Sequence, residues 1–499
     1  METGAEAEII SPAIDSVRRA WHSERMDQRD WRAAWILFAV ISTVYFATIA
    51  GITSSNDGSH FALVRAIVDN RSFEISDYLE FTENQDYALR GDLRFSDRPP
   101  GTALLAAPLY ALSALLPGPL ASLASKHDPQ NPRVMYAVLL SVLAAGATAV
   151  LLFWMLRGHW RLTLRASVLA TLAFAFGTMT WKYGSLLYSH ATSGLMVMAA
   201  VALMLRAREQ DDFWIGLLLG GSVLMEYTNV VFAVIAGAWW MTRRFAPQER
   251  SAGKPVRRAA LFVVGALIPA AVLLWYNTVN FGGPLTLSTF SVDTTRWPQN
   301  ASLFHDFATP LWVGLPAMLF YGSDNQGLFW LAPVSLLGLA GLRGLWQRSR
   351  REFALIVGGF AGMLLLLSTS TTFNPYTNDG RYLTPFLGLW FVAVGFGVAG
   401  NDGLRELSGL RSAVVFGLLF LSIRNQIMHI AFSWGHDFDL AALRPLSVAP
   451  ENIAALWQAL FPNAANVPLW WGMLAIGWWI IRLDLPRRQR DTKLHKDPL

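Results

Sequence analysis

Long apolar runs divided by short polar stretches recur along the whole of this chain. They lie at about 33–53, 133–156, 165–181, 187–206, 212–226, 228–242, 259–280, 327–345, 353–372, 382–400, 411–430 and 468–482. An α-helix rising roughly 1.5 Å per residue needs about 20 residues to cross about 30 Å of hydrocarbon, and most of these runs approach that length. The pattern predicts an all-α polytopic membrane protein with about 12 transmembrane helices. No large polar block interrupts the series, so residues 32–482 read as one membrane domain between a mixed-charge cytoplasmic tail, 1–31, and a basic one, 483–499. The runs 212–226 and 228–242 are short spans that break at Glu226-Tyr227-Thr228-Asn229.

Basic residues orient the series, because Lys and Arg beside a span are retained on the cytoplasmic side. Arg157, Arg161 and Arg165, Arg206 and Arg208, the cluster from Arg243 to Arg258, the cluster from Arg343 to Arg351, and the tail from Arg482 to Lys496 all fall inside under one condition. The apolar stretch Thr102 to Leu116, which contains Pro108 and stops at Pro117, must lie along the membrane surface as a juxtamembrane helix. The first span then runs outward. Residues 53–132 become the first outer loop, holding two amphipathic juxtamembrane helices, and 281–326 the second large outer loop. The inner connections are short and basic, so a folded polar site belongs to the outer face.

The chain is 53% hydrophobic and 15% charged, more apolar surface than a soluble globule of this size can hide. Its net charge of +5 sits in short segments between spans and forms no polar face for nucleic acid. Cysteine is absent, which excludes disulfides and thiolate metal sites. Tryptophans near the span ends, such as Trp239, Trp240, Trp470 and Trp471, read as an interfacial belt. Apart from Glu226 and Arg424 the spans are nearly free of charge and show no repeat, which argues against the rival reading of a lipid or glycan transporter or flippase.

Several polar residues stand out. Asp57, in Asn56-Asp57-Gly58-Ser59-His60 just after the first span, is placed to cap the helix that follows and to take a proton from a hydroxyl at the membrane surface, two compatible roles because a cap also fixes the side chain. Asp97-Arg98 precedes a double proline and the second surface helix. It reads as a solvated ion pair or as a grip for a lipid phosphate. His190 lies at the outer end of a span, and Glu226 is an acid in an apolar stretch, where a polar cavity or a buried partner is expected. Arg424, Asn425, Gln426 and His429 form a polar set in a late span, suited to interhelical hydrogen bonds or to a phosphate or acceptor pocket.

The order of these motifs resembles the GT-C membrane glycosyltransferases, in particular the branch related to protein O-mannosyltransferases and lipid A aminoarabinose transferases. The first loop, from Asn56-Asp57-Gly58 through Phe95-Ser96-Asp97-Arg98-Pro99-Pro100-Gly101 to Pro108-Leu109-Tyr110, is similar to that of the family. So are Leu187-Tyr188-Ser189-His190-Ala191, Glu226-Tyr227, Tyr276-Asn277 with Phe281-Gly282-Gly283-Pro284, Gln326-Gly327-Leu328-Phe329, and Asp379-Gly380-Arg381-Tyr382-Leu383-Thr384-Pro385. Gln326 stands where the family has arginine, and Thr228 where it has proline.

The resemblance implies an inverting glycosyltransferase in the cytoplasmic (inner) membrane of a prokaryote, with its active site facing outward. A polyprenyl-phosphate-linked sugar would be the donor, and a glycolipid, glycan or protein the acceptor. Asp57 is then the expected base, and Arg98 and Arg381, with Tyr382 and His190, the expected donor and phosphate site. Asn56, His60, Glu226 and Arg424 are the expected cavity lining. Asp97 is a second catalytic acid, placed either to bind a divalent metal cation or to orient Arg98.

Overall fold

A computed structural model of the chain describes residues 27–120, 133–244, 254–294, 297–320, 327–371, 380–400, 409–432, 457 and 460–479. Both expected tails lie wholly or almost wholly outside these residues, as do Gln326 and Asp379. Each apolar run is largely helical where it is described. In chain order the helices are α1 (Gln28–Thr48), α2 (Ser55–Asp69), α3 (Gly101–Leu112), α4 (Val134–Trp154), α5 (Leu164–Phe176), α6 (Thr180–Gly184), α7 (Ser189–Arg206), α8 (Asp212–Met225) and α9 (Asn229–Arg244). They continue with α10 (Lys254–Phe281), short helices at Leu303–Asp306, Leu311–Leu319 and Leu328–Leu331, then α11 (Leu337–Arg348), α12 (Arg350–Leu367), α13 (Thr384–Ala399) and α14 (Gly409–Phe432), and end with a helix over 467–479.

Among the described residues, six helices are long and apolar enough to cross a membrane, and the other apolar runs form shorter or broken helices. Two breaks account for much of the difference. At 226–228, α8 gives way to α9. At 328–336 a short helical turn ends before Pro333, which has no N–H to continue it. The exposed backbone of the second break is satisfied by one face of α14. Asn425 donates to the Trp330 carbonyl at 2.9 Å, Gln426 to the Leu331 carbonyl at 3.0 Å, and the Val334 N–H donates to Ser422 at 2.9 Å. The polar set of that late span is thus largely spent on holding a broken neighbour.

Helix α13 is the centre of the bundle. It is apolar all round, and every one of its residues is buried, as the absence of a polar face requires. It packs against α5, α7, α11 and α12. By contrast, α10 is mostly exposed and fits a lipid-facing position. It meets α8 through small residues: a Cβ on Gly216 would strike the Phe262 carbonyl, and one on Gly265 the Phe213 carbonyl.

The first loop folds into α2, a 3-10 turn at Ser76–Thr82, a two-stranded hairpin and α3. The hairpin, β1 (Tyr87–Arg90) and β2 (Leu93–Ser96), was not among the expected elements, although Gly91-Asp92 is a recognised two-residue hairpin turn and Gly91 takes φ +58°. Helix α3 is helical only to Leu112, about 18 Å at the α-helical rise and too short to span the bilayer. Helix α2 presses so closely on the 3-10 turn that a Cβ at Gly58 would collide with the Phe81 carbonyl. Gly58→Ala is therefore expected to cost about 2 kcal/mol through overpacking, read as a lowered unfolding temperature. An unchanged unfolding temperature would mean that this contact is absent.

Candidate active site

The first turn of α2 sets the floor of the site. Ser54 and Asp57 form a capping box, in which the Asp57 carboxylate accepts the Thr53 N–H at 2.9 Å and the Ser54 N–H at 2.8 Å. The hydroxyls of Thr53 and Ser54 add bonds at 3.2 and 2.7 Å. Asp57 is fully enclosed, and these four donors fill the acceptor directions of its two oxygens. Burial raises its pKa against the pull of those hydrogen bonds. Both oxygens of the acid expected to act as base are thus engaged by the start of its own helix. Its reach is indirect: the Ser54 hydroxyl that it holds also meets the Tyr188 hydroxyl at 2.8 Å.

Past the hairpin, Arg98 is held by three neighbours. Its Nη2 pairs with Asp86 at 3.0 Å and its Nε with Asp97 at 3.3 Å. With the Asn56 amide oriented to satisfy both partners, its oxygen accepts from the two Nη atoms at 3.2 and 2.9 Å. Burial works against the Arg98 charge, and the Asp97 and Asp86 carboxylates more than offset it, so its pKa rises. Asp97 is 6% exposed and also accepts the Ser59 hydroxyl at 3.1 Å. Burial pushes its pKa up, while Arg98 opposes the shift. Buried His60 is pushed down to about 3 by desolvation and then by the Arg98 charge, so the ring is neutral.

The second loop locks this cluster in place. Ser288 donates to the Asp97 carbonyl at 2.9 Å and meets the Tyr227 hydroxyl at 3.0 Å, and the Leu89 N–H bonds the Ser291 carbonyl at 2.6 Å. Among the described residues no group of three or more His, Asp or Glu is placed to hold a metal ion. Asp97, where a cation was expected, therefore lacks such a set of partners among the described residues, and its Oδ1 already meets Arg98 and Ser59.

Arg381 enters from the turn before α13. Its guanidinium lies over the Tyr188 ring at 5.4 Å and the Tyr382 ring at 5.2 Å, and Nη2 donates to the Tyr382 hydroxyl at 3.5 Å. His190 packs edge-on to Tyr183 and Tyr382, with centroid distances of 5.1 and 5.5 Å. Glu226 accepts the Ser189 hydroxyl at 2.6 Å, and the charges of Arg98 and Arg381 both reach it. Arg98 in turn feels Arg381 and Tyr382. Four stretches far apart in sequence thus converge.

Exposure divides the members into two groups. Arg98, Asp86, Glu226, Tyr227, Arg381 and Tyr382 are partly open, whereas Asn56, Asp57, His60, Asp97 and His190 are buried behind them. Arg424 does not join: among the described residues its guanidinium bonds Asn425 at 3.0 Å. Sequence reasoning passed over Asp86, whose loop gives no local signal. It also passed over Lys182, a buried lysine 3.0 Å from His429 that lies in a helix end otherwise read as apolar. A guanidinium bonded to a tyrosine hydroxyl, with a second within electrostatic reach, suits an oxyanion such as phosphate, which Arg binds through paired N–H groups.

The fold is similar to the crystal structure of ArnT from Cupriavidus metallidurans bound to undecaprenyl phosphate. The TM-score is 0.53 at 14% sequence identity, over 89% of this chain and 75% of that one. The chain has a GT-C fold. More distant are apo ArnT from the same organism (TM-score 0.46, 13% identity, 88% of this chain and 76% of that one) and AglB from Archaeoglobus fulgidus. The latter, an archaeal oligosaccharyltransferase in complex with an inhibitory peptide and a dolichol-phosphate, gives a TM-score of 0.43 at 12% identity, over 88% of this chain and 56% of that one. No protein-family model and no curated protein matches the chain. Within the GT-C fold of this protein the polar cluster is built from the first loop, the start of α7, the α8–α9 break and the turn into α13.

Proposed function

We propose that this membrane protein is an inverting glycosyltransferase that moves a hexose or pentose from a polyprenyl-phosphate-linked donor to an acceptor hydroxyl. The reaction takes place on the outer face of the cytoplasmic membrane of a prokaryote, and the acceptor is a glycolipid, glycan or protein. The observation that carries the reading is the convergence of Arg98 and Arg381, with Tyr382 beside them, in a fold shared with a protein crystallised with undecaprenyl phosphate. In this reading the lipid phosphate lies between the two arginines, which stabilise the charge that grows on it as the glycosidic bond breaks. Asp97 and Asn56 aim Arg98. Asp57, through Ser54 and Tyr188, supports the ring over which Arg381 lies. Holding donor and acceptor at one surface removes much of the orientational cost of the reaction.

The reading is tested with the full chain in lipid nanodiscs, supplied with undecaprenyl-phospho-sugars and assayed for released undecaprenyl phosphate and transferred sugar. Turnover of at least one donor is expected, and none with any would sink it. A narrower expectation concerns Asp86, which occupies the same Arg98 N–H that a phosphate needs. Asp86→Asn removes a partly exposed competitor and is expected to tighten undecaprenyl phosphate binding by about fivefold, the scale of about 1 kcal/mol for such a pair. Weaker or unchanged binding would place the phosphate away from Arg98.

A further inference from the structure

We infer that Glu226 grips a hydroxyl of the sugar carried by the lipid donor and so helps to choose which sugar is used, an inference that rests on the transfer reaction proposed above. The backbone brings Glu226 to the site from two sides. Helix α8 ends at Met225 against the start of α3: a Cβ on Gly101 would meet the Leu224 carbonyl at 2.6 Å, and the Thr102 hydroxyl lies 3.7 Å from the Met225 sulfur. Gly101 follows Arg98 after only two prolines. On the other side, the Ser189 hydroxyl donates to Glu226 Oε2 at 2.6 Å. Ser189 stands between Tyr188, over whose ring Arg381 lies, and His190, which packs on Tyr382. Glu226 is thus tied to the surroundings of both arginines, and both charges reach it.

The side chain is presented rather than packed away. Glu226 is extended, with φ −151° and ψ 117°, where α8 stops. Asn229 pins this break, since its amide donates to the Ser222 carbonyl at 2.8 Å and to the Ser193 hydroxyl at 3.0 Å. Glu226 is partly exposed, and among the described residues its side chain has one hydrogen bond, the one on Oε2, and no ion pair. Asp86 is partly exposed as well, but it already meets Arg98 Nη2, the group that a phosphate needs.

The chemistry of a carboxylate narrows what Oε1 can bind. An ionised carboxylate accepts hydrogen bonds and donates none, so its partner must be a donor. The lipid phosphate assigned to Arg98 and Arg381 is an acceptor of the same sign and cannot serve. The sugar, joined to that phosphate by one bond, presents hydroxyl donors within the same space, and a hydroxyl bonded to a carboxylate makes a strong, charge-assisted contact. Cations for the phosphate and an acid for the ring beside it together suit a phospho-sugar better than a bare phosphate.

The test uses the full chain in nanodiscs, an undecaprenyl-phospho-sugar that the wild type turns over, and the set of its monodeoxy analogues. With the wild type, one analogue is expected to lose about 10- to 100-fold in kcat/KM against the parent donor, the scale of a hydrogen bond to a charged group. Glu226→Ala is expected to lose about as much with the parent donor and little further with that analogue, because both changes remove one contact. Undecaprenyl phosphate without a sugar should bind this variant at least as tightly as the wild type. Equal losses with the parent and every analogue would mean that the carboxylate touches no sugar hydroxyl, and weaker binding of undecaprenyl phosphate would make it a support for the arginines; either overturns the inference. Glu226→Gln keeps an acceptor oxygen and is expected to retain part of the selectivity. If Glu226→Ala does not fold, the same comparison is read from Glu226→Gln, and an unchanged preference among the donors overturns the inference. A wild type that turns over no donor would refute the transfer reading and the inference with it.

Discussion

Arg98→Ala is expected to abolish donor use, with turnover lowered by about 1,000-fold or more, the upper range for removing one charge-stabilising donor from a transition state. The loss has two sources. The guanidinium no longer reaches the leaving phosphate, and Asp97 and Asp86 are left side by side without the cation that holds both. Leaving a buried carboxylate unpaired is itself costly, about 3 kcal/mol or more, so the hairpin is expected to loosen as well. Arg98→Lys separates the two effects. It keeps a charge near Asp97 while losing the planar paired donors, and is expected to fall between wild type and alanine in donor affinity. Arg381→Ala is expected to be defective too, and the double alanine variant to lose less than the sum of the singles, since both contact one phosphate. Strictly additive losses in undecaprenyl phosphate binding and turnover would assign the arginines to separate sites.

Asp57→Ala is expected to destabilise the first loop by about 3 kcal/mol, because it strips the partners from two backbone N–H groups and two hydroxyls at a fully enclosed position. Asp57→Asn keeps one acceptor oxygen but turns an NH2 toward two donors, so it is expected to lie between alanine and wild type. Turnover should then follow the folded fraction in both variants, and thermal unfolding in nanodiscs alongside activity measures the two together. A folded, donor-binding Asp57→Asn with turnover reduced about 100-fold would instead make Asp57 the base, since that is the signature of losing a proton acceptor alone.

The helices were legible because bilayer-length apolar runs leave little choice of structure, and α13, apolar on every side, takes the buried centre that this pattern demands. The Asp97-Arg98 pair ahead of a double proline singled out Arg98 and the resemblance Arg381, and the structure brings them within electrostatic reach of each other. The cap at Asp57 was legible from its place just before a helix, but the full enclosure of its carboxylate by Thr53 and Ser54 was not, because it depends on how the loop packs. Asp86 was missed for a similar reason, since nothing around it in the chain shows that a hairpin will carry Arg98 back to it. The polar set on α14 suited interhelical hydrogen bonds or a pocket, and its partners, the carbonyls of the break near Pro333, become visible only when the two helices pack.

The central claim is that a lipid phosphate is held by Arg98 and Arg381. A cryo-EM structure of the full chain in nanodiscs with undecaprenyl phosphate tests it most directly. The account predicts the phosphate within hydrogen-bonding distance of both guanidinium groups, with Arg98 drawn away from Asp86. A headgroup seated elsewhere in the protein, with the Arg98–Asp86 pair intact, would contradict it.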